Sequence, residues 1–216
     1  MANFDELREE MVVRQIAARG LDNPTLLAAF RSVPREQFVS ADYASYAYQD
    51  SPLPIESRQT ISQPYIVALT IDAAQIKAGD KVLEVGAGSG YAAAVIGQIA
   101  GEVIAMERHR ELVELAQARM QFLGYGNVRI IDGDGTLGCA EEAPFDAIVA
   151  AASGSHVPPD WVEQLKPGGR IVLPLGGPGS IQSLVKLTKL PDGTLEREDL
   201  CAVRFVPLIG AHGFAG

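Results

Sequence analysis

The chain has 216 residues, enough for one domain with a full hydrophobic core, and 47% of them are hydrophobic, as in an ordinary globular protein. Its net charge of −9 argues against a general affinity for nucleic acid, which depends on clustered Lys and Arg. No apolar run reaches the ~18 residues of a membrane span, and the two cysteines, Cys139 and Cys201, lack the spacing of a metal site or a disulfide framework.

Met1 to Glu10 is acidic and polar, without the basic-then-apolar order of a signal peptide, so a cytoplasmic protein is expected. Leu7, Met11, Val12 and Ile16 recur at helical spacing and predict a helix from Phe4 to Arg19, ended by Gly20. Pro24 opens a second helix with Leu26, Leu27, Phe30 and Val33 on its inner face. Tyr43, Tyr46 and Tyr48 fall in a loop-like stretch closed by Pro52 and Pro54, and are expected to pack that loop onto the body. Helical spacing resumes from Tyr65 to Ile76.

An α/β rhythm then begins. Strands are predicted at Lys81–Val85, Val103–Met106, Val128–Ile131, Ala147–Ala150 and Arg170–Pro174. Helices are predicted between them at Tyr91–Ala100, Arg110–Leu123 and Pro159–Leu165. Such alternation implies parallel strands joined by crossover helices. Ile181–Leu190 and Leu195–Val206 flank the turn Pro191-Asp192-Gly193-Thr194 and read as an antiparallel hairpin at the sheet edge.

The richest stretch is Val82-Leu83-Glu84-Val85-Gly86-Ala87-Gly88-Ser89-Gly90-Tyr91, a buried strand running into a glycine turn and a helix. Such a turn brings backbone N–H groups close to a ligand at a helix N-terminus. Glu107 ends the next apolar run, at the ~20-residue distance of a carboxylate that grips ribose hydroxyls. A dinucleotide loop follows G-x-G-x-x-G, but Tyr91 stands at the third position. The spacing observed, acidic-x-G-x-G-x-G from Glu84 to Gly90, resembles the nucleotide loop of S-adenosylmethionine-dependent methyltransferases.

In open α/β sheets ligands bind beyond the carboxyl ends of the strands. Asp132-Gly133-Asp134-Gly135 stands at one such end, where a carboxylate can accept from an adenine amine or simply make an Asp-Gly turn. Ser62 precedes Pro64 and a helical pattern, so it is expected to cap that helix; a hydroxyl there can also hold a substrate carboxylate beside a methyl donor.

Gln59-Thr60-Ile61-Ser62-Gln63-Pro64, following Asp50-x-Pro-Leu-Pro-Ile, resembles the signature of the protein-L-isoaspartate O-methyltransferases. The glycine loop, Glu107, Gly133-Asp134-Gly135, Leu165-Lys166-Pro167-Gly168-Gly169-Arg170, Val203-Arg204-Phe205-Val206-Pro207-Leu208, Met11 to Ile16 and Val33-Pro34-Arg35 are similar too. The resemblance covers nearly the whole chain. It implies a Rossmann-like α/β methyltransferase with a mostly parallel central sheet, a helical N-terminal extension and a C-terminal antiparallel hairpin. The single domain, 1–216, divides into a helical and substrate-binding segment, 1–78, and a cofactor-binding core, 79–216.

The same resemblance implies the chemistry. S-adenosyl-L-methionine is the cofactor, with Glu84, Gly86, Gly88 and Gly90 on its methionine and ribose side. Glu107 sits at the ribose hydroxyls and Asp134 and Gly135 near adenine. Ser62 is the active-site residue that helps hold the carboxylate of an L-isoaspartyl residue. The implied partners are isoaspartyl-containing peptides and proteins, with no nucleic acid, membrane or metal. The rival readings are a methyltransferase acting on another carboxylate or a small molecule, and a cofactor-binding protein without transfer activity.

Two stretches depart from the family pattern and bear on substrate range. Arg58 stands where many members have glycine, and Ala150 to Pro158 lacks the threonine common after the fourth strand. His156 in that stretch invites a general-base role. A carboxylate acceptor, with an unperturbed pKa near ~4, has no proton for it to remove at neutral pH.

Overall fold

The computed structural model describes residues 3–215. Two short strands, β1 (Leu53–Pro54) and β2 (Thr60–Ile61), form an antiparallel hairpin outside the main sheet. The sheet itself comprises β3 (Lys81–Val85), β4 (Glu102–Glu107), β5 (Val128–Asp132), β6 (Phe145–Ala150), β7 (Leu165–Leu175), β8 (Gln182–Lys189) and β9 (Leu195–Val203). Their spatial order is β5-β4-β3-β6-β7-β8-β9. All neighbours pair parallel except β7 with β8 and β8 with β9. The chain leaves β3 toward β4 on one side and returns to β6 on the other, so the switch point lies above the end of β3, where ligands bind.

Among the described residues six α-helices complete the frame: α1 (Phe4–Glu10), α2 (Pro24–Ser32), α3 (Pro64–Ala73), α4 (Tyr91–Gly97), α5 (Arg110–Leu123) and α6 (Pro159–Gln164). Asn3 caps α1 by accepting from the N–H groups of Asp5 and Glu6. Asn23 caps α2, with Pro24 at its first position. Gly124, at φ 79°, ends α5 in the left-handed conformation that glycine takes without a Cβ penalty.

Successive residues of each central strand alternate between two apolar clusters, one on each sheet face. Val82, Val103, Ala147 and Val172 belong to the cluster that packs α2, α3 and α4. Leu83, Ile104, Ile148 and Ile171 belong to the one built on Trp161 and Leu165. Strands covered on both faces read as continuous apolar runs. Burying a side chain such as Leu83 stabilises the fold by about 1.5–3 kcal/mol.

The predicted first helix differs in detail. Beyond α1 the rod widens into a π-helical stretch, Met11–Ile16, and closes in a 3-10 turn, Ala17–Arg19, before Gly20. The wider turn puts Met11, Val12 and Ile16 all at 0% exposure, which a regular 3.6-residue period would spread over a broader face. Strand β7 extends further back than Arg170, through a bulge at Pro167-Gly168-Gly169 where Gly168 has φ 77°. The tyrosine stretch holds a 3-10 turn, Ala41–Tyr46, and of its three tyrosines only Tyr48 packs into the body, accepting from Arg8 Nε and donating to Glu36. Tyr43 and Tyr46 on the turn are exposed, contrary to expectation. The β8–β9 hairpin forms as expected, and the β1–β2 hairpin is additional to the prediction.

Candidate active site

The glycine turn leaves β3 with Gly86, Gly88 and Gly90 at φ 84°, 53° and 87°. The N–H groups of Gly86 and Ala87 donate to the Met106 carbonyl at 2.9 and 3.0 Å, tying the loop to β4. Gly90 also needs its missing side chain, because a Cβ there would stand 2.9 Å from Met120 Cε and 3.3 Å from Ala116 Cβ on α5.

Glu107 closes β4, 5% exposed. Its Oε2 accepts from the Gly88 N–H at 2.9 Å, and its Oε1 from the N–H groups of Arg108 and His109 at 2.8 and 2.9 Å. Three of the carboxylate's roughly four acceptor directions are thus spent on backbone, leaving one at Oε2 for a hydroxyl. Glu84 lies deeper, fully buried, and its Oε2 has no partner. Burial first, and the neighbouring Glu107 charge second, push its carboxyl up to about 8.

Gly86, Gly88, Glu107, Gly133 and Gly135 line a cavity of about 230 Å³ beyond the strand ends. A second, of about 390 Å³, is lined by Ser62, Gln63, Ile66, Ile181 and Arg204, among others. Thr60, Ala151 and Val206 belong to both linings. The two cavities therefore meet across a wall of three residues.

Ser62 lines the larger of the two cavities, and its hydroxyl has no hydrogen-bond partner among the described residues. The expected helix cap is not made: Gln63 occupies the N-cap position of α3, with Pro64 at the first helical position. Ser62 is one residue too early to reach the first-turn N–H groups, so its hydroxyl is left to the cavity.

Asp134 takes three donors from within the chain, as Glu107 does, but unlike Glu107 it is not among the residues that line the cavity. Its Oδ1 takes the Thr136 N–H at 2.9 Å and the Thr136 hydroxyl at 2.6 Å, and its Oδ2 takes the Ala211 N–H at 2.7 Å. Burial alone would raise this carboxyl, but those donors outweigh it and hold it below the usual carboxylate range. The Gly133–Gly135 turn that it orders supplies the cavity wall.

The departures from the family pattern find physical form here. Arg58 has φ 57° and follows Ser57 at φ 52°, a left-handed pair at the tip of the β1–β2 hairpin, where glycine is the unstrained choice. The Ser57 hydroxyl donates to Glu111 Oε2 at 2.7 Å and fastens this tip to α5. After β6, the Ala151 N–H donates to the Val85 carbonyl at 2.9 Å. Ser153, fully buried, donates its N–H to the Val206 carbonyl and accepts at its own carbonyl from the Leu208 N–H, both at 2.8 Å. His156 is exposed, pairs with the Ser155 hydroxyl, and lines neither cavity.

Several contributors carried no assigned role in the sequence: Thr60 and Val206 in the shared wall, Met106 and Arg108 beside Glu107, and Arg35, discussed below. Among the described residues no group of three or more His, Cys, Asp or Glu stands close enough to hold a metal ion. No helix among them is long and apolar enough to cross a membrane.

A mostly parallel sheet, an acidic-x-G-x-G-x-G turn at its switch point and a buried carboxylate at the end of the next strand define an S-adenosylmethionine-dependent methyltransferase. The family model described as Protein-L-isoaspartate(D-aspartate) O-methyltransferase (PCMT) matches residues 6–213. The protein-L-isoaspartate O-methyltransferase 1 of Rhodopseudomonas palustris strain HaA2 is 53% identical over 213 residues, covering 99% of this chain and 87% of that one. A solved protein-L-isoaspartate O-methyltransferase superposes with a TM-score of 0.88 at 31% identity, covering 95% of this chain and 67% of that one. A Plasmodium falciparum PCMT structure in complex with S-adenosyl-L-homocysteine gives a TM-score of 0.80 at 26% identity, covering 97% of this chain and 99% of that one. The chain belongs to the protein-L-isoaspartate(D-aspartate) O-methyltransferase family.

Proposed function

We propose that this chain methylates the free carboxylate of L-isoaspartyl residues in damaged proteins, with the roles of its residues divided between the two cavities. The observation that carries the reading is the shared wall of Thr60, Ala151 and Val206, with the unpartnered Ser62 hydroxyl on one side and Glu107 on the other.

The residues present fit S-adenosyl-L-methionine. Glu84 offers a buried, unpartnered carboxyl oxygen beneath the glycine turn, which a ligand ammonium would pair with and hold ionised. Glu107 offers an open acceptor direction to ribose hydroxyls, and Gly133 and Gly135 line the space for the base. Bound there, the cofactor supplies a methyl group made electrophilic by its sulfonium.

The chain's own contribution is positioning, which can supply on the order of 7–11 kcal/mol of a barrier. Ser62 donates a neutral hydrogen bond to the acceptor carboxylate. A neutral donor orients the nucleophile without quenching its charge, as a bidentate arginine would. The carboxylate is already ionised at neutral pH, so no base is needed, in keeping with His156 lying outside the cavities. The product is a methyl ester, whose methoxy group departs as methanol when the adjoining backbone nitrogen attacks the ester carbonyl, so the backbone succinimide re-forms and repair begins. The setting is the cytoplasm, where the unpaired Cys139 and Cys201 suit a reducing compartment. The partners are isoaspartyl-containing polypeptides rather than nucleic acid, membrane or metal.

The test is transfer of labelled methyl from S-adenosylmethionine to matched isoaspartyl and aspartyl peptides, beside calorimetry with S-adenosylhomocysteine and NAD. Label on the isoaspartyl peptide alone, with NAD the weaker ligand, is expected. Label on neither peptide, or tighter NAD binding, would overturn the assignment.

A further inference from the structure

We infer that Arg35 is a positioning residue: its guanidinium, seated over the ring of Tyr91, holds the Ser62 carbonyl and so ties the acceptor-side serine to the cofactor-side loop. This rests on the isoaspartyl reading of the two cavities.

Arg35 opens a 3-10 turn, Arg35–Phe38, and is 0% exposed. Its Nη2 donates to the Ser62 carbonyl and its Nε to the Ala47 carbonyl, each at 2.7 Å. Its Cζ sits 4.7 Å from the centroid of Tyr91, the residue that follows Gly90 and opens α4. Tyr91 is itself wedged edge-on between Phe38 at 5.5 Å and Phe30 at 6.2 Å. The platform under the guanidinium is therefore rigid.

Stability alone does not account for this arginine. A buried cation is costly unless paired and fully hydrogen-bonded. Among the described residues no carboxylate forms an ion pair with Arg35, and its Nη1 is buried without a partner. Burial pulls its pKa down. An apolar side chain would fill the space at lower cost but could not hold two carbonyls.

What the guanidinium holds is a thinly anchored part of the acceptor side. The Ser62 hydroxyl has no partner, and Gln63 gives α3 no side-chain cap. Among the described residues, Arg35 is the one side chain that bonds the backbone of Ile61, Ser62 or Gln63. Fixing the Ser62 carbonyl fixes the peptide plane between Ser62 and Gln63, and so the direction in which the Ser62 side chain leaves the backbone. Arg35 lines neither cavity and acts through Ser62.

The experiment is a double-mutant cycle on methylation of an isoaspartyl peptide, with wild type, Arg35→Lys, Ser62→Ala and the double variant. Lysine keeps the charge and loses the two-pronged donor geometry. Arg35→Lys should lower kcat roughly 10-fold, with KM and the S-adenosylhomocysteine Kd within about twofold. In the Ser62→Ala background the same change should cost less than about twofold, since coupled residues are non-additive. Hydrogen exchange at the Gln63 amide should quicken in Arg35→Lys. Additive losses, or a matching loss of cofactor affinity, would overturn the inference. If Arg35→Lys does not fold, Tyr91→Leu removes the platform while sparing both carbonyl bonds. It should then give the same Ser62-dependent loss of kcat, and a loss confined to cofactor affinity would overturn the inference. A wild type inactive on isoaspartyl peptide would instead refute the functional reading itself.

Discussion

On the cofactor side of the shared wall, Glu107 receives three backbone N–H groups and the glycine turn is stitched to the Met106 carbonyl. On the acceptor side, Ser62 has a free hydroxyl, its carbonyl hangs on one guanidinium, and the neighbouring hairpin turns through two left-handed residues that are not glycine. The contrast teaches where each kind of specificity is stored. On the proposed cofactor side a small ligand would be met by backbone groups organised around one buried carboxylate. A variable polypeptide is met by side chains on short, thinly held segments. Substitutions should therefore separate cleanly into those that cost cofactor affinity and those that cost transfer.

The largest effect expected is on the cofactor side. Glu107→Ala removes the proposed ribose acceptor and leaves three N–H groups without their partner, a loss of about 2–3 kcal/mol or more. Calorimetry should show S-adenosylhomocysteine bound roughly 100-fold more weakly. An unchanged Kd would remove Glu107 from the ribose site.

Ser62→Ala should show the reverse pattern. Losing a hydrogen bond to a charged acceptor costs roughly 1.5–3 kcal/mol, so kcat/KM for isoaspartyl peptide should fall about 10- to 100-fold while the cofactor Kd holds. Equal losses in both would erase the proposed division between the cavities.

Glu84 sharpens the contrast through pH. Its carboxyl is pushed up to about 8 in the fold, by burial first and by Glu107 second, against 4.5 as its ordinary value. Between those values the folded state holds a proton that the unfolded chain has released. The stability contributed by the neutral carboxyl is therefore complete below about 4.5 and lost as pH rises to about 8. Melting temperature of the ligand-free protein should fall across that window, and Glu84→Gln should flatten the fall. Parallel slopes in the two proteins would show that Glu84 does not carry it.

The smallest effect belongs to Arg58. Replacing a left-handed arginine with glycine relieves roughly 1 kcal/mol of backbone strain, partly offset by the greater freedom of glycine in the unfolded chain. Arg58→Gly should raise the melting temperature by about 1–3 °C and leave the cofactor Kd unchanged. A drop in stability would mean that the arginine side chain contributes more than its backbone costs.

The same contrast explains what the sequence disclosed. The α/β order, the glycine turn and Glu107 are local: alternating periods and spacings along a few dozen residues specify them, and each predicted strand of the parallel sheet is present. The acceptor side is assembled from distant stretches. The wall joins Thr60, Ala151 and Val206, and the Ser62 clamp joins Arg35 to a segment 27 residues on. No period or spacing relates such residues, so only their resemblance to a family singled out some of those stretches, without roles. Ser62 was visible as a residue at a helix start, but whether it capped the helix depended on one residue of register. Asp134 was visible as an acid after a strand, while the Ala211 N–H that occupies it lies 77 residues away.

Reversal of β8 within the sheet has a practical side. Because β8 starts opposite Leu175 and runs back, both Gln182 and Val203 come up at the rim that carries the cavities, while Lys189 and Leu195 lie at the far end. The turn Pro191-Asp192-Gly193-Thr194 is thus as remote from transfer as this sheet allows, and the Thr194 N–H and hydroxyl both donate to Asp192 within it. A fluorophore or a surface-immobilisation tag inserted there would report on the enzyme, or tether it, with the ligand-bearing rim left facing solution.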